Sequence, residues 1–406
     1  MLRRWAKIIS FPKLIVSTLY RLHAYRRAWQ IERRIAREQY HYETLAHGHV
    51  DNRSVTLKLS ERLAARGVVI SPKRKGDLHM VFAARPSNWE PHNIPPQLAQ
   101  FGKVSNYYYA ERGFDDSASN WVGRRHELDA DLLHFIGEIH RRKPIDVFLG
   151  YLSGWQIASD TIRKIGEMGI VTCAFHWDDK LSFRGRMAGG RWTGPAAVAA
   201  AYDLNLTNAP SSIPKYEVEG GLALFWPEAA NPKHFRPLEV PFEYDVSFVG
   251  GCYGYRPVLV EQLRRRGIDV KTFGPGWPEG LLSEHDMVNL YARSRVNLGF
   301  GGIGYSTREQ CLKGRDFEVP MCGALYLTSE NPELSLVYDC NREILTYSSI
   351  EECSRIIKSL LADPTRCGEI RALARKASVE RHTWEERFRH LFGLVGLLHP
   401  GRSSEY

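Results

Sequence analysis

Short apolar runs alternating with longer amphipathic stretches constrain this chain more than any other feature, and the pattern occurs twice. The first set of runs is Leu78–Ala84, Asn106–Ala110, Ile145–Tyr151, Ile170–Phe175 and Asp203–Thr207. Between them, Asp129–His140 places Leu132, Leu133, Ile136 and Ile139 on one helical face, and Ile157–Met168 is a second helical stretch. Strands separated by helices of this length form βαβ units, which implies a parallel sheet with right-handed crossovers. The stretch 85–96, R-P-S-N-W-E-P-H-N-I-P-P, reads as a long loop.

Four prolines between Pro227 and Pro241 stiffen the chain into an extended connection and put a boundary near residue 238. Beyond it comes strand Asp245–Gly250, then a helix that opens at Arg256-Pro257 and stops at Gly267. Strands Asp269–Phe273, Val296–Phe300 and Ala324–Thr328 follow. At 406 residues, two domains are expected. The expected organisation is a basic helical extension over 1–75, α/β domains over 76–237 and 238–381, and a closing helix over 382–406 that returns to the first domain.

The net charge of +9 has to be located before it is interpreted. Residues 1–38 hold ten Lys or Arg and two Glu, whereas the rest of the chain holds 45 basic and 44 acidic residues. The body is nearly neutral, which argues against nucleic acid as a partner. In the arm, Trp5, Ile8, Ile9, Ile15, Leu19 and Leu22 recur at roughly helical spacing among Arg3, Arg4, Lys7, Arg21, Arg26 and Arg27. Such a basic amphipathic segment suits an anionic membrane surface, or else a helix packed on the body with solvated cations. No apolar run reaches the length of a membrane span. The seven scattered cysteines form no C-x-x-C pair, so reduced thiols in a cytoplasmic protein are expected, with no structural metal.

Ligands of doubly wound sheets sit beyond the carboxyl ends of the strands. After Ile170–Phe175 that edge carries His176, Asp178 and Asp179, where an imidazole can meet a sugar or leaving group and a carboxylate can act as base. Asp129 and Asp131 form a D-x-D pair only within a helix and read as helix residues. In the second half, Gly250 and Gly251 precede the helix that opens at Arg256, an arrangement that can offer backbone N–H groups to a phosphate. Arg308, Lys313 and Arg315 fall just before and inside the next apolar segment, R-E-Q-C-L-K-G-R-D-F-E-V-P-M-C-G at 308–323, and suit a diphosphate. Glu318, three residues after Arg315, is placed to accept from ribose hydroxyls.

R-D-F-E-V-P-M-C-G followed by a strand and N-P-E-L, with A-D-P at 362–364 and H-T-W-E-E-R-F at 382–388, resembles the glycosyltransferases related to the spore maturation protein CgeB. In the first domain, I-D-V-F-L-G-Y and I-G-E-M-G-I-V-T-C-A-F-H-W-D-D look similar to that group. The group looks like a branch of the GT-B transferases of the glycosyltransferase 4 kind. The resemblance covers about residues 76–393. It implies an α/β GT-B fold, in which two Rossmann-like domains face an interdomain cleft and the helical N-terminal extension lies outside. It also implies a nucleotide-sugar donor in the second domain, an acceptor in the first, and no metal or other cofactor. Glu318 matches the second glutamate of the group's E-x7-E motif, while Gln310 stands where the first is expected. His176 looks like the histidine near the reacting sugar, with Asp178 and Asp179 as bases for an inverting reaction. The expected activity is transfer of a hexosyl-like group to a cell-surface glycan, a lipid-linked saccharide or a protein. A nucleotide-sugar epimerase and a non-catalytic saccharide-binding module remain the alternatives.

Overall fold

A computed structural model of the chain describes residues 13–46, 52–86 and 90–399. Helices α1 (Lys13–Glu43) and α2 (Asn52–Ala65) come first. The first α/β unit then runs β1 (Leu78–Ala84), α3 (Glu90–Leu98), β2 (Gly102–Tyr108), α4 (Trp121–Arg142), β3 (Val147–Gly150), α5 (Ser159–Glu167), β4 (Val171–His176) and α6 (Asp179–Ser182). It continues through the hairpin β5 (Met187–Ala188) and β6 (Arg191–Trp192), then β7 (Leu204–Thr207), α7 (Ile213–Val218) and β8 (Ala223–Phe225). The second unit is β9 (Tyr244–Val249), α8 (Arg256–Arg265), β10 (Val270–Phe273), α9 (Glu284–Arg293), β11 (Ser294–Leu298), α10 (Gly314–Met321), β12 (Tyr326–Ser329) and β13 (Leu345–Tyr347). Three helices close the chain: α11 (Ile350–Ala362), α12 (Pro364–Arg381) and α13 (Trp384–Val395).

The first sheet has the order β2-β1-β3-β4-β7-β8 and the second β10-β9-β11-β12-β13, with every pairing in both parallel. Counted within each unit, both sheets begin 2-1-3-4-5. The switch point of that order lies between the first and third strands, where successive connections leave on opposite faces and open a crevice. All seven residues of β1 are buried because helices cover both sides. The edge strand β2 is mostly half-exposed, with only Tyr107 buried, and starts four residues earlier than its apolar portion suggests.

Residues 90–98 are helical, although the prolines of 85–96 read as loop; residues 87–89 lie outside the described residues. Pro95 and Pro96 sit inside α3 and forgo two backbone donors. Tertiary packing overrides that cost. Ile94 and Leu98 are fully buried, in the same core as the α13 side chains. In addition, Asn93 Oδ1 accepts from the Asn231 backbone at 2.7 Å.

Trp384, Phe388, Leu391 and Phe392 of α13 belong to the same core as Leu78, Met80 and Phe82 of β1. Phe392 meets Phe101 at 5.3 Å between ring centroids, and Trp384 meets Trp226 at 5.4 Å. The chain's last described helix therefore leaves the second unit and is anchored in the first. Lys180 joins the two sheet edges directly, donating to Glu333 at 2.9 Å and to the Gln310 carbonyl at 2.6 Å.

α1 spans both units. Tyr20 donates to the Gly254 carbonyl of the second at 2.7 Å, and Arg34 donates to the Leu181 carbonyl of the first at 3.0 Å. Trp5, Ile8 and Ile9, with Arg3, Arg4 and Lys7, lie outside the described residues. Among the described residues no helix is long and apolar enough to cross a membrane.

Candidate functional site

β4 delivers His176 to the carboxyl edge of the first sheet, where a cavity of about 550 Å3 opens. His176 is 3% exposed and its Nε2 has no hydrogen-bond partner. Burial pushes its pKa down to about 3, so the ring is neutral at ordinary pH. Asp178 and Asp179 border the same cavity but behave differently. Asp178 is exposed, whereas Asp179 is 1% exposed and accepts from the Tyr216 hydroxyl at 2.8 Å. Burial raises the Asp179 carboxyl to about 6 despite that bond.

The cavity also contains a group that sequence reasoning missed. Asp116 is buried and accepts from Tyr109 at 2.9 Å, from Gln156 at 2.8 Å and from Arg85. Its partners are up to 40 residues away in sequence, so no local motif announces the network.

At the edge of the second sheet, β9 ends in Gly250 and Gly251. Of the backbone N–H groups near the start of α8, that of Gly250 is already used, donating to the Phe273 carbonyl at 2.8 Å. What Gly250 supplies is space. Its φ is +149°, and a Cβ there would come within 3.2 Å of Arg315 Nη1 and 3.4 Å of Arg256 Nη1. Two guanidinium groups thus converge on one bare stretch of backbone. Both also stand over the Phe248 ring, at 5.6 Å for Arg256 and 5.4 Å for Arg315. Arg256 donates to the Gly251 carbonyl at 3.2 Å, while Arg315 Nε and Nη2 are buried without a hydrogen-bond partner. Neither arginine forms an ion pair among the described residues. Burial, and then the charge of Arg315, pulls the pKa of Arg256 below its ordinary value. Arg315 keeps its charge despite burial, helped by Tyr326, Tyr291, Asp316 and Glu318 nearby, and guanidinium groups with free N–H donors suit a bound anion.

The other two predicted cations are not part of that pair. Lys313 caps the start of α10 and its Nζ lies 2.8 Å from Cys311 Sγ, turned toward Asp178 and Glu228 at the junction of the two units. Arg308 is exposed and borders a different cavity, of about 1020 Å3, between α1 and the second unit. Gln310 is held in place: it accepts from Ser329 at 3.0 Å and donates to the Thr307 carbonyl.

Glu318 is 5% exposed, on the second turn of α10, and accepts from the Tyr291 hydroxyl at 3.3 Å. Burial raises its carboxyl to about 7, against the pull of Arg315. Glu228, which sequence reasoning also missed, is 7% exposed with Asn208 Nδ2 at 3.4 Å, and burial raises it to about 8. Only its place in the proline-rich connection between the two units hinted at it. Among the described residues, no group of three or more His, Cys, Asp and Glu side chains is arranged to hold a metal ion.

None of the curated proteins matches the chain in sequence. Residues 256–393 match the model of a family described as glycosyl transferase-like, about a third of the chain. Among solved structures, the chain is similar to sucrose-phosphate synthase from Thermosynechococcus elongatus, with a TM-score of 0.53 and 11% identity over 78% of this chain and 100% of that one. It is also similar to HepE from Anabaena in complex with UDP and glucose, with a TM-score of 0.53 and 10% identity over 79% and 100%. A third neighbour is a glycosyltransferase from Rickettsia africae, with a TM-score of 0.51 and 10% identity over 85% and 93%. At these identities the likeness is one of architecture. The chain has the GT-B fold, with its two parallel sheets facing each other across a cleft and a helical segment at the N-terminus.

Proposed function

We propose that the chain transfers a sugar from a nucleoside-diphosphate donor, held at the edge of the second sheet, to an acceptor at the edge of the first. One observation carries this reading: Arg256 and Arg315 converge on Gly250, and among the described residues neither makes an ion pair with a carboxylate, while Arg315 Nε and Nη2 are left without a hydrogen-bond partner. As the bond from the sugar's anomeric carbon to the diphosphate breaks, negative charge grows on the leaving oxygen. Fixed cations there stabilise the transition state more than the ground state. They take the part a metal plays elsewhere, so the reading includes no metal and no cofactor beyond the donor. Glu318 accepts the ribose hydroxyls in this arrangement.

On the acceptor side, neutral His176 hydrogen-bonds a sugar hydroxyl without contributing charge. Exposed Asp178 takes the acceptor's proton as its oxygen attacks, which gives an inverted product; Asp179 supports the loop from inside. Lys313 fixes the junction through the charges of Asp178 and Glu228. Arg308 borders the outer cavity. The match over residues 256–393 and the GT-B fold support this reading, as does the sequence likeness to the CgeB-related group, with a hexosyl-like donor and a glycan, lipid-linked or protein acceptor. Seven free cysteines fit a cytoplasmic setting.

A binding screen against UDP, GDP, ADP, CDP and dTDP by thermal unfolding tests it. A ligand at 100 times its dissociation constant stabilises by about 2.7 kcal/mol. Silence from all five removes the reading. Gln310 in the position of a motif glutamate favours one rival, a saccharide-binding module without catalysis. Nucleotide binding without turnover of any donor selects that rival.

A further inference from the structure

α1 presents one face to the protein and another to solvent, and the two differ in charge. From residue 19 to its end at residue 43 its exposed positions include Arg26, Arg27, Arg33, Arg34 and Arg37 against one carboxylate, the terminal Glu43, which accepts from Gln39 at 2.9 Å. The other two glutamates turn inward, Glu32 to the Ser306 hydroxyl at 2.6 Å and Glu38 to Lys215 at 3.1 Å. Arg26, Arg33 and Arg37 make no ion pair among the described residues. The same outer face carries Leu22, Tyr25, Trp29 and Tyr40, each more than half exposed. At about 100° per residue, these four fall with Arg26, Arg33 and Arg37 inside an arc of roughly 120°. Ala24, Ile35 and Tyr42, all buried, lie opposite. The inner face thus satisfies the packing of α1 on the body, and among the described residues no element covers the outer stripe.

We propose that the outer face of α1 lies in the headgroup region of an anionic membrane. Guanidinium groups pair with lipid phosphates, aromatic rings with a polar edge settle at the headgroup level, and leucine reaches the acyl boundary. The stripe from Leu22 to Tyr40 is a straight line of roughly 27 Å, suited to a plane. A nucleic-acid backbone would use the arginines but leave Leu22 and Trp29 in water. Tyr25 and Trp29 also border the cavity of about 1020 Å3 that α1 closes against the second unit, so docking sets that cavity beside the lipid.

Co-sedimentation of the full chain with vesicles of phosphatidylcholine, alone or mixed with phosphatidylglycerol, tests this. Binding is expected only to the mixed vesicles. Replacing Arg26, Arg33 and Arg37 with Gln is expected to weaken it about fivefold per arginine. A Leu22→Ser, Trp29→Ser double variant is expected to lose the binding that survives high salt. Equal partitioning to both vesicle types, or unchanged partitioning of both variants, overturns the proposal; so does binding to duplex DNA without binding to vesicles. Unchanged melting temperature and nucleoside-diphosphate affinity in the variants show that the fold and the donor site are intact. The membrane proposal therefore fails or stands independently of the sugar-transfer reading.

Discussion

The two sheets share a strand order but finish their carboxyl edges in opposite ways. At the first, the switch-point loops bury their polar groups in pairs: Asp116 takes three donors and Asp179 is tied to Tyr216. His176 is kept neutral there. At the second, glycine clears a space and two guanidinium groups fill its rim unpaired. A shared topology thus places a crevice, and the side chains at the strand ends decide which charge it receives. The first edge suits a neutral, hydroxyl-rich ligand; the second suits an anion.

The largest expected effect separates chemistry from binding. Asp178→Asn is expected to lower turnover by about 10²- to 10⁴-fold, the usual range for loss of a general base, while donor affinity stays the same. Steady-state rates beside calorimetry read both quantities, and full activity in Asp178→Asn removes the carboxylate from the mechanism. Next comes the opposite edge. Arg256→Ala and Arg315→Ala are each expected to cost about 1.5–3 kcal/mol of nucleoside-diphosphate affinity, the range for hydrogen bonds to charged groups. Substituting His176 by Asn is expected to leave that affinity intact. If His176→Asn weakens nucleotide binding as much as Arg315→Ala does, the division of labour between the edges is wrong.

A third effect concerns pH. Glu318 in the free protein is raised to about 7, and ribose hydroxyls prefer its ionised form. Binding must then release its proton below that pH, so affinity is expected to fall as pH drops from 7 toward 5, approaching tenfold per pH unit. Glu318→Gln removes the dependence that belongs to this carboxyl and leaves only that of the phosphates, which calorimetry at several pH values resolves. Stability carries the opposite sign. A carboxyl raised in the folded state contributes stability at low pH that is lost as pH rises through its folded value, so Glu318→Gln and Glu228→Gln flatten the decline toward pH 8. His176 has the reverse sign: its neutral ring costs stability as pH falls below 6.5 toward 3.

How far the sequence reveals this site depends on the reach of each interaction. The fold was legible because alternation of apolar runs and helices is local, and so was the edge of the second sheet, where β9 stops at two glycines. Arg256 and Arg315 could both be picked from the sequence as candidates for a diphosphate, but their convergence on Gly250 could not, since 59 residues separate them and only the sheet crossing brings them together. Lys313 and Arg308 were grouped with Arg315 by proximity in sequence, yet a helix start turns neighbouring side chains in different directions. Asp116 and Glu228 were illegible because their partners lie on other elements. α3 shows the converse failure: local proline signals were overridden by Ile94 and Leu98 docking in the α13 core.

The smallest effect tests whether the buried edge of α10 is tuned or merely packed. Tyr291→Phe keeps the ring, which is 1% exposed, and removes only the hydroxyl that donates to Glu318 at 3.3 Å. A bond of that length is weak, so its loss should cost about 0.5–1.5 kcal/mol of stability at most. The hydroxyl favours the ionised carboxylate, so without it the Glu318 carboxyl moves further up. The midpoint of the pH dependence of nucleotide affinity should then shift upward, with little change on the alkaline side where Glu318 is ionised in either protein. A purely packing role for Tyr291 would leave that midpoint where it was.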